Sequence, residues 1–156
     1  MMGYMPRTNR KYKPNYYYHI YNRGNNKEQV FLYAEYKRLF ISLLYQNIRK
    51  TDLLLDSFCV MDNHFHAIIK IGKNPQILSK CMQRITISYA MQINRKYKRR
   101  GHLFEGRYNA KILRYKKDVR NAREYIKKNP VEKGIVKKAE DYPWKKIQGQ
   151  IWDRPY

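Results

Sequence analysis

Two apolar segments, residues 53–61 (LLLDSFCVM) and 64–71 (HFHAIIKI), are separated only by Asp62 and Asn63. Asp and Asn tolerate the positive φ of tight hairpin turns, so a chain punctuated in this way folds back on itself as an antiparallel pair of strands. The rest of the chain has to be accommodated around that pair. Successive side chains on a strand point to opposite faces, so His64 and His66 share one face of the second strand while Phe65 takes the other.

The flanking segments carry both strand and helix signals. Residues 16–22 (YYYHIYN) are aromatic and β-branched and stop at the turn cluster Arg23-Gly24-Asn25-Asn26, which predicts a strand. Over 35–49, Tyr36, Leu39, Phe40, Leu43, Leu44 and Ile48 recur at three- and four-residue intervals and give a helix one apolar face. Pro75 suits a first helical turn. From there Ile77, Leu78, Cys81, Met82, Ile85, Tyr89 and Ile93 keep helical spacing to about Tyr97, and Gly101 breaks the pattern. Residues 104–114 (FEGRYNAKILR) alternate loosely and predict another strand. Asp118 offers an N-cap to a third helix through Val119, Ala122, Tyr125 and Ile126, expected to end near Asn129 because Pro130 follows. The segment beyond Gly134, with Tyr142, Trp144 and Trp152, is expected to pack back across the domain. With no internal repeat and no dividing linker, the chain reads as one α/β domain over 15–150, a flexible basic arm over 1–14 and a short tail over 151–156.

Charge narrows the partner. The 156 residues hold 34 Lys and Arg against 12 Asp and Glu, a formal charge of +22 spread along the chain. Nucleic acid is the commonest partner for such a surplus, because each phosphate neutralised by Lys or Arg releases condensed counterions. A membrane surface competes less well, since no apolar run approaches the ~20 residues that span a bilayer. Sixteen tyrosines and a 15% aromatic share are too rich for a disordered basic tail. Cys59 and Cys81 lie inside apolar stretches, where a reduced thiol is an ordinary core residue. With no secretory signal at the start, they predict a reducing, cytoplasmic (nucleoid-associated) setting.

Two imidazoles on one strand face aim at one point and suit several divalent metals. A lone His-X-His pair has a plainer alternative, with one ring bound to a backbone carbonyl and the other in solvent. The third helix changes the balance. Tyr125 and Asn129 are four positions apart and share a face with Ala122, bordered by Val119 and Ile126, so that face turns toward the sheet. A phenol and an amide oxygen opposite two imidazoles make a set able to work on a phosphodiester: His64, His66 and Asn129 as ligands, Tyr125 as nucleophile. Free tyrosine has a pKa of ~10 and attacks poorly until a base, a metal or a positive field favours the phenolate. A divalent ion would bind a non-bridging phosphate oxygen and offset the charge developing in the transition state. Expulsion of a 3′ hydroxyl leaves a 5′-phosphotyrosine bond, which a second 3′ hydroxyl reverses without ATP.

Four separated motifs occur in fixed order: Tyr18-His19-Ile20-Tyr21-Asn22-Arg23-Gly24, then Met61-Asp62-Asn63-His64-Phe65-His66, then Gly101-His102-Leu103-Phe104-Glu105-Gly106-Arg107-Tyr108, and Tyr125-Ile126-Lys127-Lys128-Asn129-Pro130-Val131. Over roughly residues 16–146 this order resembles the REP-associated tyrosine transposases, a branch of the HUH endonuclease superfamily. The resemblance implies a compact α/β (α+β) domain of ferredoxin-like, HUH endonuclease architecture, with helices packed on a central antiparallel sheet. It also implies Mg²⁺ or Mn²⁺ as cofactor and hairpin-forming single-stranded DNA (REP-like palindromes) as substrate. His64 and His66 match the metal-ligand motif, Asn129 the third-ligand position and Tyr125 the nucleophile. Related insertion-sequence transposases usually carry Gln where this chain has Asn129 before Pro130, and Asp62 departs from the Pro often found ahead of the Asn-His pair. The branch looks more like a self-sufficient monomer than the dimeric relatives, with a homodimer as the alternative.

Arg23, Arg99, Arg100, Arg107 and Lys111 are the candidates for DNA phosphate contacts. Tyr108 and Trp144 are candidates to stack on unpaired bases, with core packing the plainer use of both. His19 and His102 lack partners at metal-ligand spacing and read as structural. Two other functions fit the basic, aromatic composition: a non-catalytic binding module for structured RNA or single-stranded DNA, and an HUH replication initiator, for which a chain of 156 residues leaves little room.

Overall fold

The computed structural model describes residues 10–149. Five strands, β1 (Tyr17–Arg23), β2 (Leu54–Val60), β3 (His64–Lys70), β4 (Asn109–Leu113) and β5 (Lys145–Lys146), form one sheet in the order β4-β1-β3-β2-β5. Every neighbouring pair is antiparallel. The helices are α1 (Ala34–Ile48), α2 (Ile77–Tyr97) and α3 (Lys116–Glu132). The first four strands and first two helices follow the split β-α-β-β-α-β path, in which β3 slots between β1 and β2. The single α+β domain and central antiparallel sheet match expectation.

The period of two along each strand sorts the side chains. Tyr18 and Ile20 of β1, Phe58 of β2, and Phe65, Ala67 and Ile69 of β3 face α1 and α2, joining Phe40, Leu44, Met82, Ile85 and Tyr89 in the main core. The alternate set, with Cys59, Ile68 and Leu113, faces α3 and joins Val119, Ala122 and Ile126 in a second cluster. The sheet is therefore covered on both faces. Cys59 and Cys81 lie in clusters on opposite faces, both as free thiols.

Four local expectations are corrected. The strand predicted over 104–114 is ordered as a strand only from Asn109, with Phe104 making one isolated bridge to Gly24. Between them Gly106 gives its carbonyl to the Asn22 side chain at 3.0 Å, and Glu105 N–H goes to Arg23 O at 3.0 Å. Asp118 lies inside α3 rather than ahead of it, and its carboxylate reaches back to the N–H groups of Tyr115 at 3.0 Å and Arg114 at 3.1 Å. Helix α3 also continues through Pro130 to Glu132. In the last turn a proline forfeits one intrahelical bond, and the exposed carbonyls of Asn129 and Pro130 are taken by the N–H groups of Lys133 and Ile135, both at 3.0 Å. Helix α2 ends at Tyr97, as its spacing predicts, but the break is made by left-handed Lys98 rather than by Gly101, with Arg99 N–H closing on Asn94 O at 2.9 Å.

The arm expected over 1–14 lies outside the described residues up to residue 9. Its last part is tied down: Tyr12 packs edge-on against Tyr18, its hydroxyl lies 2.8 Å from that of Tyr108, and Lys13 N–H donates to Tyr18 Oη at 2.8 Å. At the other end, the segment beyond Gly134 does return across the sheet. Tyr142 Oη donates to Val60 O at 2.6 Å and β5 pairs with β2, while Trp152 falls outside the described residues. Among the described residues no helix is long and apolar enough to cross a membrane.

Candidate active site

β3 carries His64 and His66 on the face that α3 covers, as the alternation predicts. Asn129 is carried over His64 by α3: its Oδ1 lies 3.2 Å from His64 Nε2, and the residue is 2% exposed. The Tyr125 ring stands perpendicular to His66 with centroids 5.3 Å apart. Tyr125 is 47% exposed, whereas His66 is 7% exposed, so the phenol is open to a large ligand while the imidazole is shielded. The four residues expected to form one site do converge, and they line a cavity of about 860 Å³.

The strand is entered through a tightly held turn. Gly24 N–H donates to Asn63 O at 2.8 Å, and Phe31 N–H to Asp62 O at 2.8 Å. A Cβ on Gly24 would come within 2.2 Å of Glu28 O, so only glycine permits that approach. Buried Lys37 of α1 donates to the Asp62 carboxylate at 2.7 Å and to the carbonyls of Phe31 at 2.7 Å and Leu32 at 3.2 Å. The departure at Asp62 is explained: a lysine clamp, rather than a proline ring, stiffens the turn ahead of Asn63.

Both imidazoles are biased toward the neutral form. Burial is the first cause for each: it lowers His64 and pushes His66 down to about 3, with further lowering of His66 by His19, His64 and Lys133. His19, left as structural by the sequence, is the residue that reasoning missed. It stands on β1 with its Nε2 2.9 Å from His66 Nδ1, pushed down to about 4 by burial and by Lys111. No spacing within β1 announces it, because the pairing is made across strands. His102 has no place in the cavity lining.

The donor set fits a divalent ion. His64 Nδ1 lies 2.6 Å from Asn63 Oδ1, an acceptor that suits a proton on Nδ1 and so an Nε2 lone pair turned toward Asn129 Oδ1. Two acceptors then face each other 3.2 Å apart, close to the ~3 Å between adjacent ligands of one ion bound at about 2.1 Å. Among the described residues no three His, Cys, Asp or Glu side chains gather to hold a metal; the oxygen that faces His64 is the neutral amide of Asn129. An ion held by three neutral groups would keep its charge uncompensated, an arrangement that suits an anionic ligand.

The basic candidates divide. Arg23 and Arg107 line the cavity, joined by Lys27 and Lys133, which the sequence did not single out, and by half-exposed Tyr21. Arg23 is paired with Glu105, whose carboxyl it holds below the usual range. Arg99, at the end of α2, is paired with Glu28, and neither it nor Arg100 or Lys111 lines the cavity. Of the two stacking candidates, Tyr108 is a core residue buried under the Arg10 guanidinium, and Trp144 is partly buried, packed against both clusters.

Helix α3 is fastened beside Tyr125. Arg123 reaches the buried Asp56 carboxylate of β2 with two bonds, of 2.9 and 2.6 Å, two residues before Tyr125. The register between Leu55 and Ser57 is irregular, and that bulge turns Asp56 toward α3.

This chain is similar in fold to a solved REP-associated tyrosine transposase bound to a REP hairpin, with a TM-score of 0.73 at 20% identity over 90% of this chain and 82% of that one. A crystal structure of a protein from Deinococcus radiodurans assigned as a transposase matches at a TM-score of 0.52 and 18% identity, over 78% of this chain and 95% of that one. By sequence the chain is 21% identical over 104 residues to a protein of Haemophilus influenzae assigned as a REP-associated tyrosine transposase; the match takes in 61% of this chain and 59% of that relative. The profile of the family described as "Transposase IS200 like" matches residues 12–129, which run from the tyrosine packed against Tyr18 to the asparagine facing His64. The chain belongs to the IS200-like transposase family.

Proposed function

We propose that this chain is a metal-dependent, single-tyrosine transposase that cleaves and rejoins single-stranded, hairpin-forming DNA. One observation carries the reading: a half-exposed tyrosine stands 5.3 Å, centroid to centroid, from a shielded imidazole in the cavity where His64 Nε2 and Asn129 Oδ1 face each other.

Tyr125 is the nucleophile. As its Oη bonds to phosphorus, the bond from phosphorus to the 3′ oxygen breaks. The phenolic proton leaves to solvent through the open side of the cavity and the departing 3′ oxygen takes one up, giving a 5′-phosphotyrosine and a free 3′ hydroxyl. A second 3′ hydroxyl attacking the same phosphorus returns the proton to Tyr125 and reseals the strand. His64, His66 and Asn129 would hold Mg²⁺ or Mn²⁺, which when bound supplies Lewis-acid polarisation of a non-bridging phosphate oxygen. Lys27, Arg23, Arg107 and Lys133 draw the phosphodiester into the cavity and oppose its charge. Arg99, Arg100 and Lys111 are assigned to DNA away from the cleaved bond. Because nucleophile and ligands belong to one chain, a monomer suffices, and the substrate class follows the REP-hairpin relative.

The test is a denaturing gel of labelled single-stranded hairpin DNA incubated with Mn²⁺ or Mg²⁺. A covalent adduct formed by the native chain and lost in Tyr125→Phe is the expected result. An adduct that survives Tyr125→Phe overturns the nucleophile assignment, and failure on every hairpin favours a binding module.

A further inference from the structure

We propose that His19 is a positioning residue for the metal centre, selecting the His66 tautomer and ring orientation that leave Nε2 as the coordinating atom. This inference rests on the metal reading above and deepens it. An imidazole that ligates through Nε2 carries its proton on Nδ1, and a buried N–H needs an acceptor. His66 is buried, and His19 Nε2 lies 2.9 Å from its Nδ1. The other tautomer would spend the Nδ1 lone pair on His19 and bring Nε2–H to the centre.

The fold supplies this acceptor from the neighbouring strand. Tyr21 is the residue of β1 opposite His66, and His19, two positions before it, lies on the same face. The His19 and His66 rings are 5.1 Å apart between centroids, and His19 also borders Tyr125 at 6.1 Å. His64 has the matching arrangement by a local route, with Nδ1 2.6 Å from Asn63 Oδ1. Both imidazoles thus meet the centre with Nδ1 already committed, one to the preceding residue and one to the adjacent strand. A neutral ring in this role, where a carboxylate is common, adds no negative charge beside a phosphate-binding centre.

The experiment is a Mn²⁺ titration of the native chain, His19→Phe and His19→Gln, reading free Mn²⁺ by electron paramagnetic resonance, with a thermal melt of each. His19→Phe should weaken Mn²⁺ binding by about 10- to 100-fold. His19→Gln, whose amide oxygen can accept the Nδ1 proton, should keep most of the native affinity. Native affinity in His19→Phe, or equal weakening in both variants, overturns the positioning role alone. A native chain that binds no Mn²⁺ overturns the metal centre and this role with it. Where His19→Phe fails to fold, ¹⁵N resonances of the native imidazoles decide: a His66 proton on Nδ1 is expected, and one on Nε2 overturns the proposal.

Discussion

On one face of the sheet, α1 and α2 bury Phe31, Phe40, Phe65 and Tyr89 in a continuous aromatic cluster, and nothing proposed for the chemistry comes from them. On the other face α3 rests on a smaller cluster of buried side chains, with Ile126 and Val119 at its centre, supplemented by the Arg123–Asp56 pair and by Tyr142. The thick face holds β3 rigid. The side chains proposed for the chemistry stand on the thin face, where covering the sheet completely would have closed the cavity. Stability and access are assigned to opposite sides of one strand, divided by the alternation that puts Phe65 on one side and His64 and His66 on the other.

The sharpest break of this comparison is Tyr125→Phe, which should abolish the covalent DNA adduct while moving stability by less than about 0.5 kcal/mol, since the lost hydroxyl is on a half-exposed ring. Adduct yield and a urea melt on the same sample check both halves. On the thick face, Phe40→Ala should cost about 3–5 kcal/mol of global stability by the shift in urea midpoint, with adduct yield per folded molecule kept. Arg123→Met leaves the Asp56 carboxylate buried without its cation; because Arg123 is itself 26% exposed, the loss should be nearer 2 kcal/mol. Hydrogen exchange should localise that loss to α3, and equal acceleration in α1 and α2 would refute the two-layer picture.

The cysteines report which face opens first. Burial pushes the Cys59 thiol up to about 12 and the Cys81 thiol up to about 11, so neither thiolate forms appreciably in the folded chain near pH 8. A thiol reagent should therefore find no reactive group in the native protein. In urea below the main transition, Cys59 under α3 should react before Cys81 on α2, and the reverse order would place the weaker layer on the other side. The smallest effect belongs to the cavity wall: Arg107→Ala should weaken hairpin binding at low salt and reduce the salt slope by about one.

The legible parts of this molecule are those written in local periods. Apolar spacing placed α1, α2 and the β2–β3 hairpin within a residue or two, and the four-residue interval put Tyr125 and Asn129 on one helix face. Features that depend on a second element were not readable. Lys145 and Lys146 carry no strand signal and pair because β2 has an open edge to satisfy. His19 belongs to the site only through strand register, and Lys133 only because α3 runs past Pro130 and returns over the cavity. Charge pointed to a class of partner and not to the basic residues of the cavity: the length of α2 carried Arg99 and Arg100 away from a cavity that Lys27 joins from a short turn after β1.

The short β5 has a consequence for how copies of this protein meet during synthesis. An unpaired strand edge recruits the strands of neighbours, and lysines there discourage the approach because each incoming backbone would have to displace a hydrated ammonium. At one margin of the sheet stand Lys145 and Lys146, and at the other is Lys111 of β4. With both margins carrying positive charge, crowded nascent chains repel along the line where they would otherwise zip into aggregates.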